Sequence, residues 1–199
     1  MKTLKLITII FIVAISSCSN GIKTNSKKVT FGIYEVININ DIPKSIIDTL
    51  KAKNIQFANN TQLSVIGYMQ KADSSILQLD LSRYNLKLAK SLYTVDKNNK
   101  YYALVATKLN PDIDNSDIKN TKSNNNKVEI YFNMKGANKW ADLTKKNTGK
   151  MLAFIIDNQI YTMPLINAEI RNGAALINGL ENETFSKNIS ESLNSSISE

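Results

Sequence analysis

A chain of 199 residues is long enough for one domain or two small ones, and its composition excludes several kinds of active site. It has no histidine, which rules out histidine-dependent catalytic triads and histidine-ligated metal centres, and its single cysteine rules out a disulfide within the chain. The net charge of +8 comes from scattered lysines with only two arginines, so we predict a solvated surface and no nucleic-acid binding. Weak attraction to anionic lipid headgroups or cell-envelope polymers is an alternative use of this charge.

The first seventeen residues (1–17) have the pattern of a secretory signal peptide. Lys2 and Lys5 form a charged start, an apolar run follows, and small residues precede Cys18. The run is too short for a membrane span, which needs about 20 apolar residues. The tetrapeptide that ends at Cys18 resembles the lipobox of bacterial lipoproteins, in which the cysteine is acylated and becomes the first residue of the mature protein. This resemblance implies lipidation at Cys18 and a membrane anchor of the palmitate type.

The residues after the cysteine predict where the protein goes. Ser19 is not the aspartate that holds enterobacterial lipoproteins at the inner membrane, which favours the outer membrane. Residues 18–28 are rich in Ser, Asn, Lys and Gly, a composition typical of a flexible tether. We therefore expect a domain in the cell envelope that faces the periplasm.

Residues 29–81 carry a pattern of their own. Alternation at 29–36 predicts a strand, and Pro43 marks the first turn of a helix. Leu77, Leu79 and Leu81 alternate with polar residues, which predicts that 75–81 pairs as a strand with 61–70. We interpret 29–81 as a small separate α/β lobe, with extra strands on one shared sheet as the alternative.

The middle of the chain predicts a hairpin and then a loop. Apolar runs at 86–95 and 100–107 flank a polar turn. Residues 111–127 are mostly Asn, Asp, Lys and Ser, which predicts an exposed loop. Asp112 and its neighbours have a spacing that can bind Ca²⁺, but the closing Gly and Glu of an EF-hand are missing, so we predict no metal site and no cofactor.

A strand followed by a helix is predicted next. Val128, Ile130 and Phe132 alternate with polar residues, as in a half-buried strand. Asn133 can cap the following helix, whose apolar face includes Trp140, and Gly149 can end it.

The remaining residues predict a hairpin, a short strand and a closing helix. Residues 151–156 and 159–165 flank Asp157-Asn158, and Pro164 indicates an edge or a bulge in the second arm. Asn172-Gly173 is a turn before a strand at 174–178, and apolar residues then recur every four positions after Asn182.

This order of elements resembles the head part of the first periplasmic domain of SecD, a subunit of the bacterial Sec translocase. The matching segments are VEIYFNMKGANKWADLTKKNTGK, LAFIIDNQIYTMPLIN, IRNGAALING and the helix after Asn182. The resemblance implies an α+β fold over 82–195, a mixed or antiparallel sheet with two helices packed on one face. Asn158, and Arg171 with its neighbours, replace glycines of the family pattern but tolerate turn geometry.

The resemblance also implies a function, because in the family this domain faces emerging polypeptide. We expect a lipid-anchored envelope protein, not an enzyme, that binds exported polypeptide or Sec translocase components by adding a strand to an exposed edge. The predicted edge comprises Tyr161, Met163, Pro164 and Ile166. The alternative is an adhesion or ligand-binding lipoprotein that uses this fold only as a scaffold. We interpret four large apolar residues as shared core and not as a client groove: Trp140, Ile155, Leu165 and Phe185.

Overall fold

The computed structural model of the protein describes residues 27–59 and 64–197. The predicted signal peptide, Cys18 and most of the predicted tether lie outside these residues. The elements in chain order are β1 (Phe31–Ile37), α1 (Lys44–Ala52), β2 (Gln56–Phe57), β3 (Gly67–Gln70), β4 (Leu86–Thr94), β5 (Tyr101–Lys108), β6 (Ile113–Asp114), β7 (Ile118–Asn124), β8 (Lys127–Phe132), α2 (Met134–Lys146), β9 (Leu152–Ile156), β10 (Gln159–Thr162), β11 (Ala174–Ile177) and α3 (Glu183–Ile197).

Five strands close into a small barrel. They are hydrogen-bonded in the order β5, β4, β10, β9, β1, and β1 returns to pair with β5. The pairing of β10 with β4 is parallel, and the others in the ring are antiparallel. One buried cluster draws on all five strands: Tyr34, Ala89, Val105, Ala153, Ile155 and Ile160. Since side chains fill the interior of small barrels, we assign this cluster to the inside.

The strand β9 shows why the barrel needs partners on its outer side. All of its residues are buried, although successive side chains point to opposite faces of a sheet. Ala153 and Ile155 belong to the barrel interior, whereas Leu152, Phe154 and Ile156 belong to a second cluster outside it. A strand that is buried on both faces is apolar throughout, as β9 is.

Two layers cover the outside of the barrel. The larger layer is a three-stranded sheet in the order β11-β8-β7 together with α2 and α3, and it shares a core with β1 and β9. The smaller layer is α1 with β2, β3 and the adjoining 3-10 helices, and it packs on the outer residues of β4 and β5. None of the helices in residues 27–59 and 64–197 is long and apolar enough to cross a membrane.

Most of the predicted elements are confirmed. The hairpin of β4 and β5 forms, and so does the hairpin of β9 and β10, where Asp157 and Asn158 have φ angles of 45° and 64°. Asn133 caps α2 by accepting a hydrogen bond from the Gly136 amide at 2.9 Å. The predicted closing helix α3 forms, and its structure adds a cap that was not predicted, since Asn182 accepts from the Phe185 amide at 2.8 Å. The mixed α/β class is also confirmed, although closure of the sheet was not predicted.

The strand predicted at 75–81 is wrong, because this segment contains a 3-10 helix at Ser74–Gln78. The predicted partner strand β3 already pairs with β2 on one side and with β5 on the other, so no edge remains for it. Ile76 and Leu81 are buried in the core under α1, and Leu77 and Leu79 are partly buried against it. The alternating leucines therefore mark contacts of a tightly turning segment.

The exposed loop predicted at 111–127 is also wrong. It contains β6, a 3-10 helix at Asn115–Asp117 and the seven-residue strand β7. Only Ile118 and Thr121 of β7 are buried, so its sequence lacks an apolar alternation. The ladder with β8 and the contact with α3 stabilise the strand in spite of its polar composition.

The strand β1 belongs to the same sheet as the second half of the chain. Phe31 pairs with Ile156 and Glu35 pairs with Leu152, so β1 lies beside β9. This is the arrangement that the sequence left as the alternative to a separate lobe at 29–81. The rest of that segment, from α1 to the 3-10 helices, packs on the face of β4 and β5.

Candidate functional site

The strand β11 forms one edge of the three-stranded sheet. Within the described part of the chain it is hydrogen-bonded to β8 on one side and to no other strand. The Gly173 carbonyl accepts from the Phe132 amide at 2.9 Å. Because antiparallel residues alternate in direction, the N–H and C=O groups of Leu176 point away from β8. This edge therefore presents main-chain groups that can bind an added strand.

The opposite edge of the same sheet, β7, is covered by a side chain from α3. The Thr121 amide donates to Asn194 Oδ1 at 2.8 Å, and Asn194 Nδ2 donates to the Thr121 carbonyl at 3.0 Å. The Thr121 hydroxyl also contacts Ser190, at 2.8 Å. Proteins usually cover an exposed edge in some such way, so an edge without a cover is unusual.

An apolar groove of about 590 Å³ runs along the edge of β11. The outer residues of β11 form one wall, and the segment 164–170 forms the other. Two large apolar side chains on these walls are exposed, Leu165 at 52% and Leu176 at 41%. The prediction that Leu165 belongs to the core is therefore wrong. A pocket with apolar walls and a few polar groups is the usual form of a binding site.

The floor of the groove includes Trp140 and Phe154. Trp140 is 2% exposed, as predicted for a core residue, and its ring lies 5.7 Å from that of Phe132 and 6.0 Å from that of Phe154. Among the described residues, the indole Nε1–H has no acceptor. Ile155 is likewise buried, and Phe185 is partly buried.

The wall at 164–170 is fixed by main-chain hydrogen bonds. The Leu152 amide donates to the Pro164 carbonyl at 3.2 Å, and the Ile166 amide donates to the Lys150 carbonyl at 2.9 Å. Farther along, the Ile170 amide donates to the Thr144 hydroxyl at 2.9 Å. The groove is therefore formed by segments held in place by β9 and α2.

The structure separates the four residues of the predicted binding edge. Pro164 and Ile166 line the groove, but their main-chain groups are already used on the side of β9. Tyr161 and Met163 line a different depression beside β4 and β5. Tyr161 stacks on Phe185 with 6.3 Å between the ring centroids, and burial raises the pKa of its hydroxyl to about 12. The available edge is β11, which the sequence indicated only as a short strand.

The main acidic clusters are engaged in ion pairs and caps. Glu35 contacts Lys146 at 2.6 Å and Lys108 at 2.9 Å. Burial alone would raise the pKa of Glu35, but hydrogen bonds from these lysines outweigh it and hold the pKa below its usual value. Asp117 is buried, pairs with Lys139 at 2.6 Å and accepts from the Asp114 amide at 3.2 Å. No group of three potential metal ligands occurs among residues 27–59 and 64–197.

A model of the SecDF P1 head subdomain matches residues 90–197, more than half of the chain. The chain belongs to this family. All the walls of the groove lie inside the matched range, so the groove is a feature of the SecDF P1 head subdomain in this chain.

Individual relatives agree with this membership. The SecD subunit of the protein translocase from Rhodothermus marinus is 36% identical over 66 residues, which are 33% of this chain and 11% of that protein. The SecDF subunit from Thermus thermophilus is 42% identical over 53 residues, or 27% of this chain and 7% of that protein. The chain thus spans only a small part of the length of these relatives.

A solved structure of SecDF, described as a membrane component that enhances protein export, superposes with a TM-score of 0.49 at 18% identity. The superposition covers 85% of this chain and 64% of that one.

Proposed function

We propose that this protein binds extended segments of unfolded polypeptide in the cell envelope, in connection with protein export. The observation that carries the proposal is the uncovered edge of β11 beside an apolar groove. An added strand would receive main-chain hydrogen bonds from Leu176, and the groove would take its apolar side chains. Relatives named as translocase subunits support a client that is being exported, with Sec translocase components as possible partners.

Binding of this kind needs no catalysis, and we propose that the protein is not an enzyme. Main-chain hydrogen bonds are independent of sequence, and an open apolar groove tolerates many side chains. Such a site suits a client that is unfolded and variable, whereas a defined small ligand would need several convergent polar groups. The groove has asparagine amides at its rim, among them Asn167 and Asn172, and its only charged lining residue is Glu129.

We further propose that the protein is a lipoprotein anchored through Cys18, with the outer membrane as its site and the domain in the periplasm. The signal pattern of residues 1–17 and the lipobox-like tetrapeptide support this proposal. Cys18→Ala should abolish incorporation of labelled palmitate and leave the signal uncleaved. Unchanged labelling of the variant would refute acylation at this residue.

Leu176→Pro tests strand addition at β11 directly. Of the main-chain groups, proline removes only the Leu176 N–H, which points away from β8, so the ladder of the sheet is kept. The leucine side chain on the groove wall is replaced as well. We expect the affinity for a reduced and alkylated, permanently unfolded protein to fall by roughly tenfold, about the loss of one good hydrogen bond. Binding can be followed by the fluorescence of Trp140, the single tryptophan of the chain, which lines the groove.

Val95→Ser is the matched control for Leu165→Ser. Both side chains are 52% exposed, but Val95 lies outside the groove. We expect weaker binding of the unfolded protein by Leu165→Ser and unchanged binding by Val95→Ser. Equal binding by all variants, with folding intact by circular dichroism, would refute the groove as the site. Specific capture of a glycan in place of unfolded protein would favour an adhesion function.

A further inference from the structure

We propose that the end of the molecule where α2 begins docks on an anionic membrane surface. This surface, the Met134 patch, consists of Met134 with Lys119, Lys122, Lys135 and Arg171. The Met134 patch is separate from the polypeptide site at β11. This proposal rests on the proposed function in one respect, the lipid anchor that would bring the patch near a bilayer.

Among the residues that the structure describes, Met134 is the most exposed large apolar side chain, at 85%. It opens α2, and with Lys119, Lys122 and Arg171 it lines a shallow depression whose lining residues include no carboxylate. Lys135, the next residue of the helix, is exposed as well. An apolar side chain surrounded by cations matches the boundary between anionic headgroups and acyl chains.

The cations of the patch differ in how far neighbouring groups neutralise their charge. The Arg171 guanidinium is paired with Glu169 at 2.8 Å and 3.0 Å, so its charge is partly neutralised. The Lys122 ammonium lies 5.7 Å from the centre of the Tyr131 ring, an arrangement that leaves its charge intact. Lys122 lies opposite Glu129 in the ladder of β7 and β8, and Lys135 interacts electrostatically with Asp114. We therefore assign the attraction mainly to Lys119, with smaller contributions from Lys122 and Lys135.

The start of the described chain lies at the same end of the molecule. Asn115 accepts from the Phe31 amide at 2.8 Å and donates to the Val29 carbonyl at 3.2 Å. The next residue, Ser116, accepts from the Asn133 side chain at 2.8 Å, and Asn133 caps the helix that begins at Met134. The hydrogen bonds of Asn115 and Ser116 thus place the segment around Val29, which follows the predicted tether, at the same end of the molecule as the Met134 patch.

The length of chain before this point sets the distance to the membrane. At about 3.6 Å per residue, the nine steps from Cys18 to Lys27 can span at most about 32 Å. An acyl chain on Cys18 would keep the domain within reach of the bilayer, and the end that carries Val29 and Met134 is the end to which the tether is attached. We therefore take an anionic bilayer, and not a soluble anion, as the ligand of the patch. The tether would hold the patch near a bilayer, and the exposed Met134 side chain can contact acyl chains but gains nothing from a soluble anion.

The test is sedimentation of the processed chain, residues 18–199 with Cys18→Ser, with lipid vesicles. Without an acyl chain, only the surface of the protein can hold it on the vesicles. We expect binding to vesicles of equal parts phosphatidylcholine and phosphatidylglycerol, little binding to phosphatidylcholine alone, and loss of binding at high salt. Lys119→Glu with Lys122→Glu should lower the binding by roughly tenfold or more.

The matched control reverses two lysines at the opposite end of the barrel. The strand β10 leaves the turn next to Phe31 in parallel with β4, so the turn after β4, which holds Lys97 and Lys100, lies at the far end. Lys97→Glu with Lys100→Glu makes the same change in net charge and should leave most of the binding. Met134→Ser should weaken the binding and keep its dependence on salt.

Several results would overturn the proposal. Equal losses in the two double variants would mean that only net charge matters. Full competition by inorganic phosphate at millimolar concentration would indicate a site for a free anion, and unchanged binding by Met134→Ser would remove the apolar contact. Leu176→Pro should keep vesicle binding, so this proposal and the proposed function can fail independently.

Discussion

Replacing Trp140 tests whether the floor of the groove is also part of the core. Its side chain is 2% exposed, and truncation of a buried tryptophan to alanine costs about 3–5 kcal/mol. The contacts with Phe132 and Phe154 contribute about 0.5–1.5 kcal/mol each beyond burial, which favours the upper half of that range. The indole N–H makes the expected loss of stability smaller. It is a buried donor without a partner, which costs the native protein about 1–3 kcal/mol, and the alanine variant avoids this cost.

We therefore expect Trp140→Ala to lower the free energy of unfolding by about 3–4 kcal/mol. Trp140→Phe keeps one ring against Phe132 and Phe154, leaves a smaller cavity than alanine and removes the unpaired donor, so it should cost less than Trp140→Ala. Unfolding in urea should be followed by far-ultraviolet circular dichroism, because both variants lack the only tryptophan. A loss below about 1 kcal/mol for Trp140→Ala would refute the assignment of this residue to the core.

Three further predictions concern stability. The lysines beside Glu35 lower the pKa of its carboxyl, so they stabilise the fold at pH values above the ordinary pKa of 4.5, and this stabilisation is lost as the pH falls through the lowered pKa. Glu35→Gln should therefore be less stable at pH 7 by about 1 kcal/mol, and its stability should depend less on acid. Asn194→Ala should cost about 2 kcal/mol, because it leaves the Thr121 amide and carbonyl without partners. Gly136→Ala should lower the melting temperature, although this change usually stabilises a helix, because the new methyl group would meet the Asp117 carbonyl.

Each of these predictions has a control. Lys146→Met removes one of the two lysines that hold the Glu35 carboxylate and keeps Lys108, so it should reduce the dependence on pH without abolishing it. Asn188→Ala alters an exposed asparagine of α3 and should be nearly neutral. Asn138→Ala alters an exposed position of α2 and should be neutral or stabilising. A higher melting temperature for Gly136→Ala would show that α2 can move away from Asp117, contrary to the close packing described above.

Local patterns were sufficient to predict elements whose own residues determine them. The turn at Asp157 and Asn158, the cap at Asn133 and the alternation in β8 all depend on neighbours in sequence. The strand β7 could not be predicted in this way, because α3 and β8 stabilise it and its own side chains are mostly polar. The closure of the barrel was missed for a similar reason, since the partners of β1 are far away in sequence.

The candidate site was predicted only in part. The sequence indicated the region around Pro164 and Ile166, and both residues line the groove. It did not indicate β11 as the available edge, because only the order of strands in the sheet shows which strand lacks a neighbour. The exposure of Leu165 and Leu176 could not be predicted either, because an apolar residue in a short segment is equally consistent with a place in the core and a place in a groove.

The ring of five strands sets the order in which this chain can fold. The strand β1 needs β5 on one side and β9 on the other, and Phe31 pairs with Ile156, near the far end of the chain. The chain is synthesised from its N-terminus, so β1 emerges first, yet β1 can complete its pairing only after β9 has followed. The first strand therefore stays unpaired on that side during most of synthesis, which slows folding and leaves a strand edge accessible until the ring closes.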